Sequence, residues 1–231
     1  MLNLWYEYVP CTYRPDQKTP LVVSMHGGLM TGWGQAVYTS WTLVAEREGF
    51  IVVFPNAHAN RMWMIECDPE KMDLMIRGMP GVPPLNPPVG SVEEYHDVKA
   101  VAALIALMQE KYRIDEGRIF MQGMSMGNAM TSQFARYLGH LLAGAAGSGC
   151  PTSLNLLFDR EGNPVNRGGA MDIWQSRLEW DRVPPHYGAD DHDTVLGNCL
   201  YWNRINGCRG LPQIRIERED NYAFWSGDRA D

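Results

Sequence analysis

The sequence predicts an α/β domain, a mostly parallel sheet with helices on both faces, and three observations carry that expectation. Strand-like apolar runs alternate with helix-like periodic segments along the chain. The runs Leu21 to Met25 and Ile51 to Phe54 are continuously apolar, as strands buried on both faces are. A length of 231 residues with 45% hydrophobic and 20% charged content suits one sizeable core. A single domain is therefore expected over residues 1–231.

Taken in order, Trp5 to Val9 alternates and stops at Pro10, which reads as a strand. Leu21 to Met25 runs into His26-Gly27-Gly28, where the chain must turn, and a loop is expected to follow. Thr39 or Ser40 can cap a helix through Glu48, with Gly49 as its stop; Ile51 to Phe54, closed by Pro55, then completes a β-α-β unit. From Asn56 to Gly90 the pattern dissolves, and Pro80, Pro83, Pro84, Pro87 and Pro88 forbid helix and sheet alike. Connections this long are usually functional, and Met62, Trp63, Met64 and Met79 make this one apolar enough to cover a cleft; a lid is expected. Ser91-Val92-Glu93-Glu94 is a capping box opening a helix whose stripe is Val98, Val101, Ala102, Ile105, Met108 and Tyr112. Arg118 to Gln122 is then a strand, Met126 to Leu138 a helix and Leu142 to Ala146 a small-residue strand. Met171 to Gln175 and Ile214 to Glu217 are two more strands, with a helix from Thr194 to Asn206 between them, capped by Asp193.

Charge removes one class of partner. Lys+Arg number 20 against 27 Asp+Glu, a net charge of −7, so no basic field exists to hold a phosphate backbone or anionic lipid. Apolar runs such as Val101 to Met108 fall well short of the roughly 20 residues that cross a bilayer. Residues 1–10 have neither a basic start nor an apolar stretch ending in small residues, so they do not read as a signal peptide, and a cytoplasmic location is the expectation. The five cysteines show no C-x-x-C spacing and are expected as reduced, buried thiols. If Cys199 and Cys208 lie on one helix, a rise of about 1.5 Å per residue keeps them too far apart to bridge directly. No cofactor is expected. His186-Tyr187-Gly188-Ala189-Asp190-Asp191-His192-Asp193 offers imidazoles and carboxylates without a known metal-ligand spacing, and reads first as an acidic loop before the next helix.

The chemistry is carried by Gly123-Met124-Ser125-Met126-Gly127, set between a strand and a helix. A serine on so tight a turn sits in strained backbone, and glycines on both sides let neighbouring segments pass close; this is a nucleophile elbow. At the helix start the N–H of Met126 is free and the helix dipole favours a developing anion, which makes it half of an oxyanion hole. The other half is expected from the loop after Leu21 to Met25, with Gly28 the first choice and Leu29 the second. His26, at the mouth of a central strand, is expected to orient that loop rather than act as a base.

Leu21-Val22-Val23-Ser24-Met25-His26-Gly27, Phe50 to Pro55, and Tyr112 to Thr131 around the elbow resemble the polyhydroxybutyrate depolymerase and feruloyl esterase branch of the α/β-hydrolases. Trp202-Asn203-Arg204-Ile205-Asn206-Gly207-Cys208 is similar to the same branch. The resemblance implies an α/β-hydrolase fold and a serine esterase acting on a small-molecule or polysaccharide-linked ester. It also implies a catalytic order Ser, Asp, His along the chain. Asp181 then takes the acid's place, with Glu179 as fallback, although Ser176-Arg177 stands where the family has His-Gly. The base is expected beyond Ile214 to Glu217, yet residues 218–231 contain no histidine. Two readings follow: the chain stops before its base and its last strand or helix, leaving an impaired fragment or a binding protein of the same fold, or a histidine from elsewhere serves. His192 is the nominee for the second, beside His186. His96 and Asp97 are adjacent at a helix start and are expected to face different directions.

Overall fold

Six strands form one sheet in the order β1-β3-β2-β4-β5-β6: Trp5–Tyr8 (β1), Thr19–Met25 (β2), Ile51–Pro55 (β3), Ile114–Met124 (β4), Gly144–Ser148 (β5) and Asp172–Ser176 (β6). All neighbours run parallel except β1, which pairs antiparallel with β3 at the edge. The computed structural model describes residues 4–58, 60–67, 90–176, 191–209, 213–217 and 220–224; for 191–193, 195, 213–217 and 220–224 it describes the backbone alone.

Strand alternation splits the core in two. Leu21, Val23, Met25, Ile51, Val53, Ile119 and Met121 face the helices His96–Lys111 (α3) and Met126–Leu138 (α4), meeting Val98, Val101, Ile105, Met108, Met130 and Phe134. Val22, Val52 and Phe54 point the other way, onto Ala45 of the helix Trp41–Glu48 (α2). On that second face polar groups bind the layers together: Ser24 and Trp41 both donate to Gln122 Oε1 at 2.9 Å, and Gln35 donates to Ser24 at 3.1 Å.

The short helix Gly32–Tyr38 (α1) is not legible in the sequence, because Gly32 and Gly34 argue against helix. It forms because Thr31 caps it, accepting from Gly34 N–H at 3.0 Å, and because only a glycine at 32 lets it lie against the Phe54 carbonyl. Strand β4 is longer than expected: the polar Asp115-Glu116-Gly117 hides its first half, which pairs through Ile114 with Thr19. The capping box forms at Ser91, but it tops a 3-10 turn, Val92–Glu94; extended backbone at Tyr95 (ψ 136) makes α3 start afresh at His96.

A four-residue helix, Leu154–Leu157 (α5), follows β5, and Asp191–Ile205 (α6) begins three residues before its expected start. Asn206 clamps the end of α6 to the start of β6, donating to Met171 O and accepting from Met171 N–H, both at 2.9 Å. The strand expected at Ile214 to Glu217 exists as Gln213–Glu217 (β7), with a correction. It pairs antiparallel with Asp220–Phe224 (β8) in a separate two-stranded sheet. Among the described residues no helix is long and apolar enough to cross a membrane.

Candidate active site

Ser125 lies between β4 and α4 with φ 53° and ψ −120°, a region that side chains other than glycine rarely enter, and it is exposed. Both sides of the bend are fixed. Ser125 N–H donates to Ser148 O of β5 at 2.7 Å, and Ser125 O accepts from Asn128 N–H at 2.9 Å and Ala129 N–H at 3.2 Å. The flanking glycines are required by packing: a β-carbon on Gly127 would lie 2.6 Å from His26 O and nearer still to Met25 O, and one on Gly123 would overlap the Gly127 carbonyl.

The expected oxyanion donors come together at this point. A β-carbon on Gly28 would lie 3.6 Å from Met126 Cβ and 3.4 Å from its sulfur, so the β2–α1 loop touches the start of α4. The alternative donor is taken: Leu29 N–H donates to Arg61 O at 2.9 Å, and Met30 N–H to Gly27 O at 3.2 Å. Among the described residues no acceptor meets the N–H of Gly28 or Met126.

His26 holds the loop. Its buried ring donates from Nδ1 to Gly27 O at 2.7 Å and accepts at Nε2 from Ala57 N–H at 3.0 Å, which fixes the neutral tautomer and leaves no nitrogen for proton transfer. Burial pushes its pKa down. Its carbonyl accepts from Trp63 Nε1 at 2.7 Å, and the two rings lie 4.6 Å apart. This corrects the expected part of Trp63 and Met62 in covering a cleft. Both are buried in the core, so the described start of that segment is built into the protein; residues 68–89 lie outside the described residues.

The remaining expected site residues are not brought to the serine by anything described. Asp181, Glu179 and His186 lie outside the described residues, and His192 falls in the first turn of α6, where only the backbone is described.

Several positioning residues escape sequence reasoning. Asn128, one turn into α4, donates its amide to Gly149 O and, at 3.4 Å, to Cys150 O. Asp97 is buried and accepts from His58 N–H at 3.0 Å and Met64 N–H at 2.8 Å, so it anchors the 58–64 segment. His96 Nδ1 is 3.4 Å from Asp97 Oδ1, and the His58 and His96 rings lie 3.8 Å apart, which corrects the expectation that His96 and Asp97 diverge. An acid in the first turn of an otherwise apolar helix face was the available signal. Burial pushes the Cys150 and Cys199 thiols up, but Cys67, Cys150, Cys199 and Cys208 are only half-buried and Cys11 is exposed, which corrects the expectation of buried thiols. Among the described residues no three His, Cys, Asp or Glu side chains could share a metal ion.

A six-stranded, mostly parallel sheet with a strained serine at the end of its fourth strand is the α/β-hydrolase fold. Comparison with solved structures agrees: the acetyl xylan esterase from Aspergillus awamori superposes with a TM-score of 0.65 over 98% of this chain and 84% of that one, at 15% identity. Among curated proteins the chain is 27% identical over 124 residues, 54% of its length, to a bifunctional acetylxylan esterase/xylanase of Neocallimastix patriciarum. It is also 27% identical over 148 residues, 62% of its length, to feruloyl esterase B of Thermothelomyces thermophilus. The matches span only 14% and 43% of those two proteins. No family model matches the chain. The chain thus has the α/β-hydrolase fold, and the curated proteins that it matches over part of their length are esterases.

Proposed function

We propose that the chain is a serine carboxylic-ester hydrolase working through an acyl-enzyme on Ser125. The observation that carries this reading is the bend at Ser125, where an exposed hydroxyl is held at positive φ beside two amides without an acceptor among the described residues. Ser125 Oγ attacks the ester carbon while a base takes the hydroxyl proton. The negative charge gathering on the carbonyl oxygen is met by the N–H groups of Gly28 and Met126. The bond to the alcohol breaks, the proton passes to the leaving oxygen, and water releases the acid from Ser125. Asp181 orienting a histidine, with His192 as the nominee, supplies the proton relay. The relatives' names support an acetyl or feruloyl ester, free or carried on a polysaccharide, as the substrate.

A second reading, a protein of the same fold that binds esters without turning them over, is favoured by one fact: His26, the described histidine beside the elbow, has both ring nitrogens engaged. Labelling with a fluorophosphonate and hydrolysis of 4-nitrophenyl acetate separate the two. The hydrolase labels at Ser125 and turns over, and both properties vanish in Ser125→Ala. An unlabelled protein that binds ester without hydrolysing it would favour the second reading.

A further inference from the structure

Five residues other than glycine have positive φ among the described residues: Leu29, Asn60, Arg61, Ser125 and Cys150. They form one neighbourhood. Leu29 and Arg61 are joined by the Leu29 N–H to Arg61 O bond, Leu29 follows Gly28 against Met126, and Cys150 O accepts from Asn128 behind the elbow. Each such residue is strained, and strain of this kind gathers where function needs a fixed geometry. For Ser125 the gain is plain. For Arg61 the backbone bond explains the carbonyl but not the side chain, because glycine would adopt φ 59° without strain and keep the same carbonyl.

What the strained turn displays is a cation. Arg61 is exposed, and among the described residues its guanidinium has no partner. Arg14, Arg47, Arg118, Arg136 and Arg167 are in ion pairs, whereas Arg113, Arg160 and Arg209 are, like Arg61, exposed and in no ion pair among the described residues. Of these exposed arginines, Arg61 is the one whose backbone carbonyl is bonded to the oxyanion loop, at Leu29 N–H. A planar fork of donors on the turn beside that loop suits a carboxylate, which it can bind through two parallel hydrogen bonds.

We propose that Arg61 binds a carboxylate carried by the ester substrate, so that the site prefers esters of acidic molecules to neutral ones. The proposal rests on Ser125 being the nucleophile. The carboxylate can belong to the acyl part or to the alcohol part, and the two are separable by substrate.

The test compares kcat/KM for matched pairs. 4-Acetoxybenzoate against 4-acetoxybenzamide places the charge on the alcohol side, and 4-nitrophenyl hemisuccinate against 4-nitrophenyl butyrate places it on the acyl side. The wild type is expected to prefer the charged member of one pair, and Arg61→Gln to lower that preference about tenfold through KM, with Arg61→Lys restoring most of it. The preference should also shrink as salt rises from 0.05 to 0.5 M. Turnover of both neutral esters, with charged-to-neutral ratios equal in wild type and Arg61→Gln, overturns the role of Arg61 and leaves the hydrolase standing. No turnover of any ester and no fluorophosphonate label on Ser125 overturns both.

Discussion

Gly127, in the first turn of α4, presses its backbone against the carbonyl of Met25 at the end of β2, closely enough that a β-carbon would overlap it. Nothing flexible lies between them, since the opposing atoms are main chain. Gly127→Ala must therefore push the helix start away from the sheet, and with it Ser125. A loss of about 2–3 kcal/mol is expected, measured as a lower urea midpoint with an unchanged slope. Gly28→Ala is the contrast: its β-carbon would meet the sulfurs of Met62 and Met126 at 3.2 and 3.4 Å, and both side chains can give way. Its stability should stay within about 1 kcal/mol of wild type.

Strain at the elbow predicts a trade of stability against activity. Ser125 at φ 53° would be relieved by glycine, so Ser125→Gly is expected to gain about 1 kcal/mol or more in thermal unfolding while losing ester hydrolysis. Ser125→Ala loses the same activity but keeps its β-carbon and hence the strain. A melting temperature for Ser125→Gly no higher than that of Ser125→Ala would show that position 125 is relaxed in solution.

His26 makes folding sensitive to mild acid. Burial lowers its pKa below the ordinary value of 6.5, so the unfolded chain takes up a proton that the folded chain resists. The sign follows: the neutral ring's contribution is complete above about pH 6.5 and is lost as pH falls from there towards the folded-state value. The protonated ring would also lose the Ala57 N–H bond, because Nε2 could no longer accept. Unfolding free energy should therefore drop between pH 7.5 and 5.5. His26→Gln, though less stable at pH 7.5, should lose less over the same interval.

The elbow could be read from sequence because its determinants are local: a tight strand-to-helix turn needs glycine at 123 and 127, and Met126–Leu138 has the expected boundaries. Buried strands β2 and β3 are legible for a similar reason, as continuous apolar runs between turn residues. What escaped depends on contacts distant in sequence. Helix α1 exists because Gly32 fits against Phe54 and Asn56, and β4 extends because Thr19 waits for Ile114. The burial of Trp63 is not legible because an aromatic in a proline-rich connection is ambiguous by itself; its place is decided by the His26 carbonyl, 37 residues away. That the Leu29 N–H is engaged likewise depends on the Arg61 carbonyl, 32 positions away.

The ion pair between buried Arg136 and half-buried Glu66 offers the sharpest test of how the segment around Met62 and Trp63 is held to α4. Arg136, in α4, is 1% exposed; it donates one nitrogen to Glu66 and another to Leu156 O at 2.8 Å, while Tyr137 donates to the other Glu66 oxygen at 2.7 Å. Burial and the Glu66 charge push the Tyr137 pKa up to about 12. Removing the carboxylate leaves a guanidinium in the core without its counter-charge, and Glu66→Leu is expected to cost about 3 kcal/mol or more. Removing both charges is a different matter: Arg136→Met with Glu66→Leu strands no ion, and the double variant should be more stable than Glu66→Leu alone. The alkaline limb gives an independent reading. Because the folded state holds the Tyr137 proton more tightly, its contribution is full below about pH 10 and is lost as pH rises towards 12. Glu66→Gln, which takes away the charge but not the size, should flatten that limb. Denaturant titrations of wild type and these variants at pH 8 and pH 10.5 measure both effects. A double variant as unstable as Glu66→Leu would mean that the cost lies in lost packing and not in the stranded charge.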